Sequence, residues 1–364
     1  MEQYKAIGLM SGSSLDGLDI AYCLFSFEHG RWSLKVLSTD VIAYPDEWIQ
    51  EIKRLPVSSA KTLWQSHAAL GHYFAEQVNA FTGRHNLKGK VDLVASHGHT
   101  IFHFPDKKMT TQIGDGSAIA AITDLPVVCD FRSGDIASGG QGTPIVPIGD
   151  QLLFNDYRFC LNIGGIANIS CKTNNAGIVA FDICAANQVL NSLANRLGKE
   201  YDTGGKLAGS GKLNTALLDK LNALDFYTLD YPKSLDNGFS RELILPLIEE
   251  FDISIEDKLR TYTEHIAAQI ANQINAIAKK ENLQFGTGDK ILATGGGAFN
   301  AFLIDRINAI SGFEVVVPAE ELVKFKEAIV IALMGVLRLR NEVNVLKSVT
   351  GAKKDSVAGA VYRP

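Results

Sequence analysis

The sequence has 364 residues, of which 46% are hydrophobic, and a formal net charge of −5. This length and apolar content suffice for more than one domain, while the acidic balance gives no support to nucleic-acid or anionic-membrane binding. The most apolar run, residues 328–337, is too short to span a bilayer, and the N-terminus lacks the charged and apolar regions of a signal peptide. Five cysteines without C-x-x-C spacing favour reduced thiols. We therefore predict a cytoplasmic protein.

The first half combines strand patterns with one long helical pattern. Apolar side chains recur at helical spacing over residues 62–81. The predicted strands cover residues 4–10, 19–27, 34–43, 91–95 and 126–130.

The second half follows a similar order. Its predicted strands cover residues 159–163, 166–171, 178–182, 290–293 and 313–317, and its helical patterns cover residues 187–197 and 259–277. Both halves begin with a strand, a glycine-rich turn and a second strand, and then continue into helices. This repetition predicts a duplicated α/β architecture.

The domain boundary is predicted near a glycine-rich segment, residues 134–142, which is either a bend between the halves or a substrate loop. We assign residues 1–130 to an N-terminal domain, which residues 342–364 can join. Residues 131–341 then form the C-terminal domain.

Three glycine-rich turns each follow a predicted strand, at residues 8–17, 162–168 and 293–298. Glycine lets a backbone approach a phosphate closely, and hydroxyls or free N–H groups then bind the anion. A single turn of this kind is equally typical of a hairpin or of close helix packing. Three of them along one chain predict a nucleotide held between two halves, as in a phosphotransferase.

Several ordered motifs resemble one family over nearly the whole chain. Residues 8–19 read G-L-M-S-G-S-S-L-D-G-L-D, residues 96–100 read S-H-G-H-T, and residues 135–144 read D-I-A-S-G-G-Q-G-T-P. Further matches lie at residues 111–115, 130–132, 162–168, 202–208, 293–300, 326–328 and 348–352. Together they resemble the anhydro-N-acetylmuramic acid kinases, members of the actin-like superfamily of sugar kinases and chaperones.

The resemblance implies a two-domain actin-like ATPase fold, a duplicated ribonuclease H-like sugar-kinase architecture with an interdomain cleft. It implies an enzyme that opens 1,6-anhydro-N-acetylmuramic acid with water and phosphorylates O6 with ATP. The product is N-acetylmuramic acid 6-phosphate, in the recycling of peptidoglycan. The expected partner is thus a small anhydro-sugar; the oligomeric state stays open, a homodimer included.

The nucleotide is predicted to bind the three turns. The first turn would hold the β- and γ-phosphates with Mg²⁺ near Asp16, and the third would cover the α-phosphate and adenosine. The predicted nucleotide-binding residues are Gly12, Ser13, Ser14, Leu15, Asp16, Gly17, Leu18, Asp19, Asn162, Gly164, Gly165, Gly295, Gly296 and Gly297.

Two carboxylates are predicted to be catalytic on this resemblance. Asp182 ends an apolar run and would accept the proton of the attacking water. The alternative is that Asp182 caps the following helix. Glu327 would face the substrate at the start of the apolar helix 328–339, where it also complements the positive helix N-terminus.

Four residues are predicted to bind the sugar. The guanidinium of Arg132 matches the lactyl carboxylate of a muramic substrate, although an ion pair with Asp130 or Asp135 is nearly as good an explanation. Asp135 and Gln141 would hold hydroxyls and the acetamide. His97 is assigned to the sugar pocket, because the alternating histidines of residues 97–103 lack a further zinc ligand.

The sequence departs from the family pattern in two places. Residues 181–187 read F-D-I-C-A-A-N where the family has F-D-T-G-P-G-N, and residues 231–238 read Y-P-K-S-L-D-N-G where it has P-P-K-S-T-G-R-E. These changes keep alternatives open: a kinase for another anhydro-sugar such as levoglucosan, or a nucleotide-binding homologue with weakened catalysis. A chaperone is disfavoured, because peptide binding needs an additional domain.

Overall fold

A computed structural model describes residues 1–12, 14–174, 177–236, 238–286 and 288–364. The chain forms two compact units. The first contains Met1–Leu153 and Phe325–Pro364, and the second contains Phe154–Lys324. Both units mix helices with one sheet.

The elements follow one another in this order along the chain. The strands are β1 (Glu2–Ser11), β2 (Leu18–Glu28), β3 (Arg31–Ile42), β4 (Leu93–Phe104), β5 (Met109–Ile113), β6 (Val127–Cys129), β7 (Phe159–Ile163), β8 (Ile166–Lys172), β9 (Ile178–Ala185), β10 (Lys290–Thr294), β11 (Glu314–Val316) and β12 (Ala360–Tyr362). The α-helices are α1 (Asp46–Arg54), α2 (Ala60–Arg84), α3 (Gly116–Thr123), α4 (Ser133–Ala137), α5 (Pro147–Leu153), α6 (Asn187–Asn195), α7 (Lys206–Ser210), α8 (Thr215–Asn222), α9 (Leu245–Glu249), α10 (Ile255–Lys280), α11 (Ala301–Ser311), α12 (Glu320–Leu339) and α13 (Lys347–Thr350).

The sheets of the two units share one topology. In the first unit the strand order is β12-β6-β4-β1-β2-β3, with β5 paired to β4. In the second unit the order is β11-β10-β7-β8-β9. In each unit three consecutive strands form an antiparallel meander, and later strands pair in parallel beside its first strand. This repeat confirms the predicted duplicated α/β architecture.

The core of the first unit forms where α2 covers the sheet. Leu70, Phe74, Val78 and Phe81 recur at helical spacing and are fully buried. They belong to one cluster with Ile7 and other residues of the sheet. Burial of such side chains contributes about 1.5–3 kcal/mol each, which is why the sequence periodicity predicts this helix well.

Helix α12 lies against β1 and β4 at two glycines. A Cβ at Gly8 would overlap the carbonyl oxygen of Ala328, and a Cβ at Gly335 would lie 2.6 Å from the Cβ of Ala95. The helix backbone therefore contacts the sheet directly.

This contact explains why the unit boundaries differ from the predicted ones. The chain divides after Leu153 and again after Lys324, rather than after residues 130 and 341. Gly8 of β1 and Gly335 of α12 allow the close packing that places most of α12 in the first unit, and hydropathy along the chain does not record this packing.

The second unit is built around α10. Its apolar face is buried against the sheet and its neighbours, and comprises Leu259, Tyr262, Ile266, Ile270, Ile274 and Ile277. The hydroxyl of Tyr262 donates to the carbonyl of Ala185 at 2.9 Å, which satisfies its polar end inside the core. Among the described residues, no helix is long and apolar enough to cross a membrane.

Replacement of Gly8 by alanine is expected to destabilise the first unit by roughly 2–3 kcal/mol, because the added methyl group meets backbone that cannot rotate away. Urea unfolding followed by tryptophan fluorescence measures this, since all the tryptophans (Trp32, Trp48 and Trp64) lie in this unit. The control is Gly83→Ala on α2, where the Cβ would meet open space and helix propensity adds up to about 1 kcal/mol. Equal stability of the two variants would contradict the packing argument.

Candidate active site

The loop between β1 and β2 is the first predicted phosphate-binding turn. Leu15 has a φ of 59°, and its N–H donates to the carbonyl of Gly12 at 3.3 Å. The hydroxyl of Ser14 donates to Asp16 Oδ1 at 2.6 Å, so this serine orients a carboxylate within the loop. Ser13, which was assigned to the same site, lies outside the described residues.

Two residues of this loop serve the fold. Leu18 is fully buried in the core, so only its backbone is available to a ligand. A Cβ at Gly17 would lie 2.5 Å from the carbonyl oxygen of Ile42, which requires glycine for close chain approach.

The start of the loop is anchored by a buried chain of hydrogen bonds. The Tyr44 hydroxyl donates to Ser11 Oγ at 2.7 Å, and Ser11 Oγ lies 2.8 Å from His99 Nδ1. Burial lowers the pKa of His99 to about 4, so its ring is neutral and can accept from the serine. The Ser11 hydroxyl is thus committed within the protein rather than to a phosphate.

Asp19 has a raised pKa, to which two other carboxylates of the first unit contribute. Burial, followed by the charges of Asp16 and Glu327, raises the pKa of Asp19 to about 7. Glu327 remains accessible to solvent, yet partial removal of water by the surrounding protein raises its pKa as well. The expected position of Glu327 at a helix start is wrong, since α12 begins at Glu320. Glu327 is held within the helix, beside a region of concentrated negative charge.

Arg132 supplies positive charge to this region. Its guanidinium lowers the pKa of Glu327 in opposition to burial, and Glu327 in turn supports the charge of Arg132. Burial lowers the pKa of Arg132 to about 10, which leaves it charged at neutral pH. Its Nε–H donates to His97 Nε2 at 2.9 Å. The structure thus brings together the predicted residues Arg132, His97 and Glu327.

Both carboxylate oxygens of Asp135 are engaged in hydrogen bonds within the protein. Its side chain is buried; Oδ1 accepts from the Thr350 hydroxyl at 2.7 Å and Oδ2 from the Gly142 N–H at 2.8 Å. The Gly142 bond closes the glycine-rich segment 134–142 onto itself, and the Thr350 bond ties the segment to α13, so Asp135 shapes the segment. The Gln141 N–H donates to the Thr350 carbonyl at 2.8 Å, whereas the residue as a whole is exposed.

In the second unit, the other two glycine turns meet at the ends of parallel strands. Thr294 of β10 pairs with Asn162 of β7, and both turns follow directly. Gly295 has a φ of 80°, and a Cβ there would lie 2.6 Å from Asn162 Oδ1. A Cβ at Gly297 would overlap the side chain of Ile163.

These close approaches explain the glycines and leave backbone exposed where ligands of α/β proteins commonly bind. Gly164 and Gly165 accept from the N–H groups of Asn187 and Gln188 at the start of α6. Gly296 has no such tight contact, since the nearest atom to its Cβ position is 3.8 Å away.

Asp182 lies inside β9 at a β-bulge. Asn168 pairs with Asp182 and Ala167 with Cys184, so Ile183 is the extra residue. Bulges re-aim side chains and are common beside active sites. The alternative that Asp182 caps a helix is wrong, because β9 continues to Ala185 and α6 begins at Asn187.

The segment before α9 orients Asp182. The Asp182 N–H donates to the Lys233 carbonyl at 3.1 Å, and the Leu235 N–H donates to Asp182 Oδ2 at 3.0 Å. Burial raises the pKa of Asp182 and the Leu235 bond partly offsets it, which makes the carboxylate a stronger proton acceptor than an exposed one. The sequence carries no signal for this role of Leu235, because the contact uses only its backbone.

The fold and these sites define a class of protein: a duplicated α/β enzyme with glycine turns after parallel strands and accessible carboxylates. The family model described as anhydro-N-acetylmuramic acid kinase matches residues 4–364. The chain belongs to this family.

Its relatives match over full length. The anhydro-N-acetylmuramic acid kinase of Mannheimia succiniciproducens is 34% identical over 382 residues, covering 100% of this chain and 99% of the relative. That of Francisella tularensis subsp. novicida is 33% identical, with 99% of each chain covered. Among solved structures, the (R)-2-hydroxyglutaryl-CoA dehydratase component A of Acidaminococcus fermentans is 13% identical with a TM-score of 0.45, covering 91% of this chain and 97% of that one.

The raised pKa of Asp19 predicts a pH-dependent stability. Between its ordinary pKa of 3.8 and the folded value of about 7, the folded protein keeps a proton that the unfolded chain has lost. Stability therefore falls as pH rises through this window, by at most a few kcal/mol. In Asp19→Asn the contribution of Asp19 to this fall should be absent, so the variant gains stability relative to the wild type from pH 5 to pH 8.

Urea unfolding at a series of pH values, followed by tryptophan fluorescence, measures this difference. The exposed Asp106→Asn change in the same unit is the control for loss of one charge. Parallel pH profiles of wild type and Asp19→Asn would contradict the assignment.

Proposed function

We propose that the protein is an ATP-dependent kinase that opens 1,6-anhydro-N-acetylmuramic acid with water and phosphorylates O6. The product is N-acetylmuramic acid 6-phosphate, and the reaction serves peptidoglycan recycling. The observation that carries the proposal is the family match over residues 4–364, in a chain that retains Asp182 as an oriented carboxylate. The cytoplasmic location and the homodimer stay predictions.

Asp182 is the proposed general base. One oxygen is fixed by the Leu235 N–H, and Oδ1 accepts no hydrogen bond from the described residues. It would take the proton of water as the water oxygen bonds to C1 and the C1–O6 bond breaks. O6 gains negative charge and bonds to the γ-phosphorus, with ADP as the leaving group. The raised pKa favours the proton transfer that begins this sequence.

The glycine turns of each unit are proposed to bind phosphate oxygens of the nucleotide. Gly12, Gly165, Gly295 and Gly296 are at least partly exposed and have no side chain to keep phosphate oxygens from the backbone. Gly164 and Gly297 are less suited, since the Gly164 N–H donates to the Ile166 carbonyl at 3.2 Å and Gly297 is buried. Asp16 and Asp19 carry oxygen ligands of the type that Mg²⁺ prefers, and their mutual repulsion favours a bound cation. The described residues contain no group of three or more candidate metal ligands, so ATP oxygens and water would complete the coordination. Bound Mg²⁺ would neutralise developing phosphate charge.

The proposed sugar-binding residues differ in which polar groups they can offer to a sugar. The two Nη groups of Arg132 donate to none of the described residues and can form two parallel hydrogen bonds with the lactyl carboxylate. Glu327 and the exposed Gln141 offer polar groups for hydroxyls and the acetamide. Levoglucosan lacks both the carboxylate and the acetamide, and would leave Arg132 without its partner.

The role of Asp182 is tested by Asp182→Asn, which keeps the shape and removes the proton acceptor. Turnover should fall by roughly 10²–10⁴-fold with nearly unchanged affinity for ATP and the anhydro-sugar. Asp219→Asn, an exposed change in the same unit, should keep normal turnover.

Reaction in ¹⁸O-labelled water checks the same mechanism independently. The label should enter the anomeric hydroxyl and be absent from the phosphate ester. Normal kcat in Asp182→Asn, or label in the ester, would overturn the proposed mechanism.

The nucleotide site is tested at the first turn. Valine at position 12 fits the loop, since the nearest atom to the Cβ position is Ser14 Oγ at 3.4 Å, but its methyl groups would block phosphate approach. The dissociation constant for ATP, measured by calorimetry, should rise at least tenfold, or about 1.4 kcal/mol. Gly286→Val, where a Cβ meets open space, is the matched control. Unchanged ATP affinity in folded Gly12→Val would remove this turn from the site.

A further inference from the structure

His97 is engaged at both ring nitrogens. Arginine Nε only donates, so the His97 Nε2 that lies 2.9 Å from it must be the nitrogen with the free lone pair. The proton of the neutral ring is then on Nδ1, which donates to the Gly98 carbonyl at 3.0 Å. The ring therefore has one defined tautomer, and neither nitrogen is left for a sugar hydroxyl.

The charge state of His97 agrees with this geometry. The residue is only 4% exposed, and burial together with the charge of Arg132 lowers its pKa to about 3. A protonated ring would place two cationic donors opposite each other. The lone pair on Nε2 is thus available to Arg132 throughout the neutral range.

The backbone under His97 is fixed as well. Leu9 of β1 pairs with Ser96 and Ser11 pairs with His99, so the strand pairing is irregular at His97 and Gly98. Gly98 has a φ of 72°, and a Cβ there would lie 2.6 Å from the Ile113 carbonyl oxygen. Its N–H donates to Ser96 Oγ at 3.2 Å. The carbonyl that holds His97 Nδ1 consequently has little freedom to rotate.

We propose that His97 is a positioning residue that orients Arg132 toward an anionic group of the substrate, rather than a residue that contacts the sugar. Its Nε2 holds one edge of the guanidinium, which leaves the Nη groups free for a bidentate pair with a carboxylate. The inference rests on the proposed function, because it takes the lactyl carboxylate as the ligand of Arg132. It assigns His97 a role in selecting sugars that carry this group.

The first test measures the ring in the whole protein, without substrate. In ¹⁵N-labelled wild type, the His97 nitrogens should show the neutral Nδ1–H tautomer from pH 5 to pH 8, with Nε2 unprotonated. A protonated ring or the Nε2–H tautomer would overturn the proposal. This measurement needs no variant and does not depend on the identity of the sugar.

The second test compares two sugars, 1,6-anhydro-N-acetylmuramic acid and 1,6-anhydro-N-acetylglucosamine, which lacks the lactyl group. Their dissociation constants are measured by calorimetry for the wild type, Arg132→Leu, His97→Leu and His97→Gln. His97→Leu should weaken binding of the muramic sugar by roughly 10- to 100-fold, as expected for loss of a hydrogen bond to a charged group. Binding of the glucosamine sugar should change less than threefold. His97→Gln, which keeps an acceptor for Arg132, should recover most of the loss.

The outcomes distinguish the positioning role of His97 from the proposed function of the protein. If Arg132→Leu weakens only the muramic sugar and His97→Leu has no such effect, the positioning role is wrong and the proposed function stands. If Arg132→Leu binds both sugars normally, Arg132 is not the carboxylate ligand and both assignments are overturned. Equal weakening of both sugars in His97→Leu would indicate a general structural role and contradict the proposal.

Discussion

The first unit depends on the direct contact between the backbones of α12 and β1. The absence of a side chain at Gly8 lets the carbonyl of Ala328 reach the strand, and Glu327 is the residue before Ala328. The same strand runs into the loop that carries Asp16, and β2 begins just beyond it. One steric requirement therefore fixes the position of a helix, of the Glu327 carboxylate and of the loop between β1 and β2.

The contact between α12 and β1 has an electrostatic cost, because the charge of Glu327 acts on Asp19, and other residues offset this cost. Burial raises the pKa of Asp19, and the nearby charges of Asp16 and Glu327 raise it further. Arg132 opposes the effect at Glu327 and is held by a neutral histidine rather than a carboxylate partner. An acceptor without charge orients the guanidinium and does not cancel its positive field. The unit thus keeps a cation and several anions available to ligands of opposite charge.

The sequence predicts those features that depend on local periodicity. Buried helices such as α10 and the strands before each glycine turn follow from apolar spacing, and their order reveals the repeated topology. Features that depend on packing in space are missed. The start of α12 is an example, because the helix begins at Glu320, well before its apolar run, and its first turns are polar and amphipathic. The hydrogen bond between Asp135 and Thr350 could not be predicted, since the two residues are remote in sequence. The role of His97 likewise required the position of Arg132.

The departures from the family pattern leave the proposed base, Asp182, in place. Ile183, Cys184, Ala185 and Ala186 are all buried in the core of the second unit, so the lost glycines are replaced by packed apolar side chains. The retained Asn187 donates from Nδ2 to the Ile163 carbonyl at 3.1 Å, which ties the start of α6 to the second glycine turn.

The second departure, in residues 231–238, also leaves Asp182 in place. Its contacts with Asp182 run through the carbonyl of Lys233 and the N–H of Leu235, groups that any residue except proline at position 235 provides. Side chains in this segment can therefore change while the carboxylate keeps its orientation. Because backbone groups and a bulge hold Asp182, its geometry tolerates sequence divergence that would disrupt a site held by side chains. The altered motifs thus favour an Asp182 that is retained as the proposed base, with changed side chains around it, over a loss of catalysis.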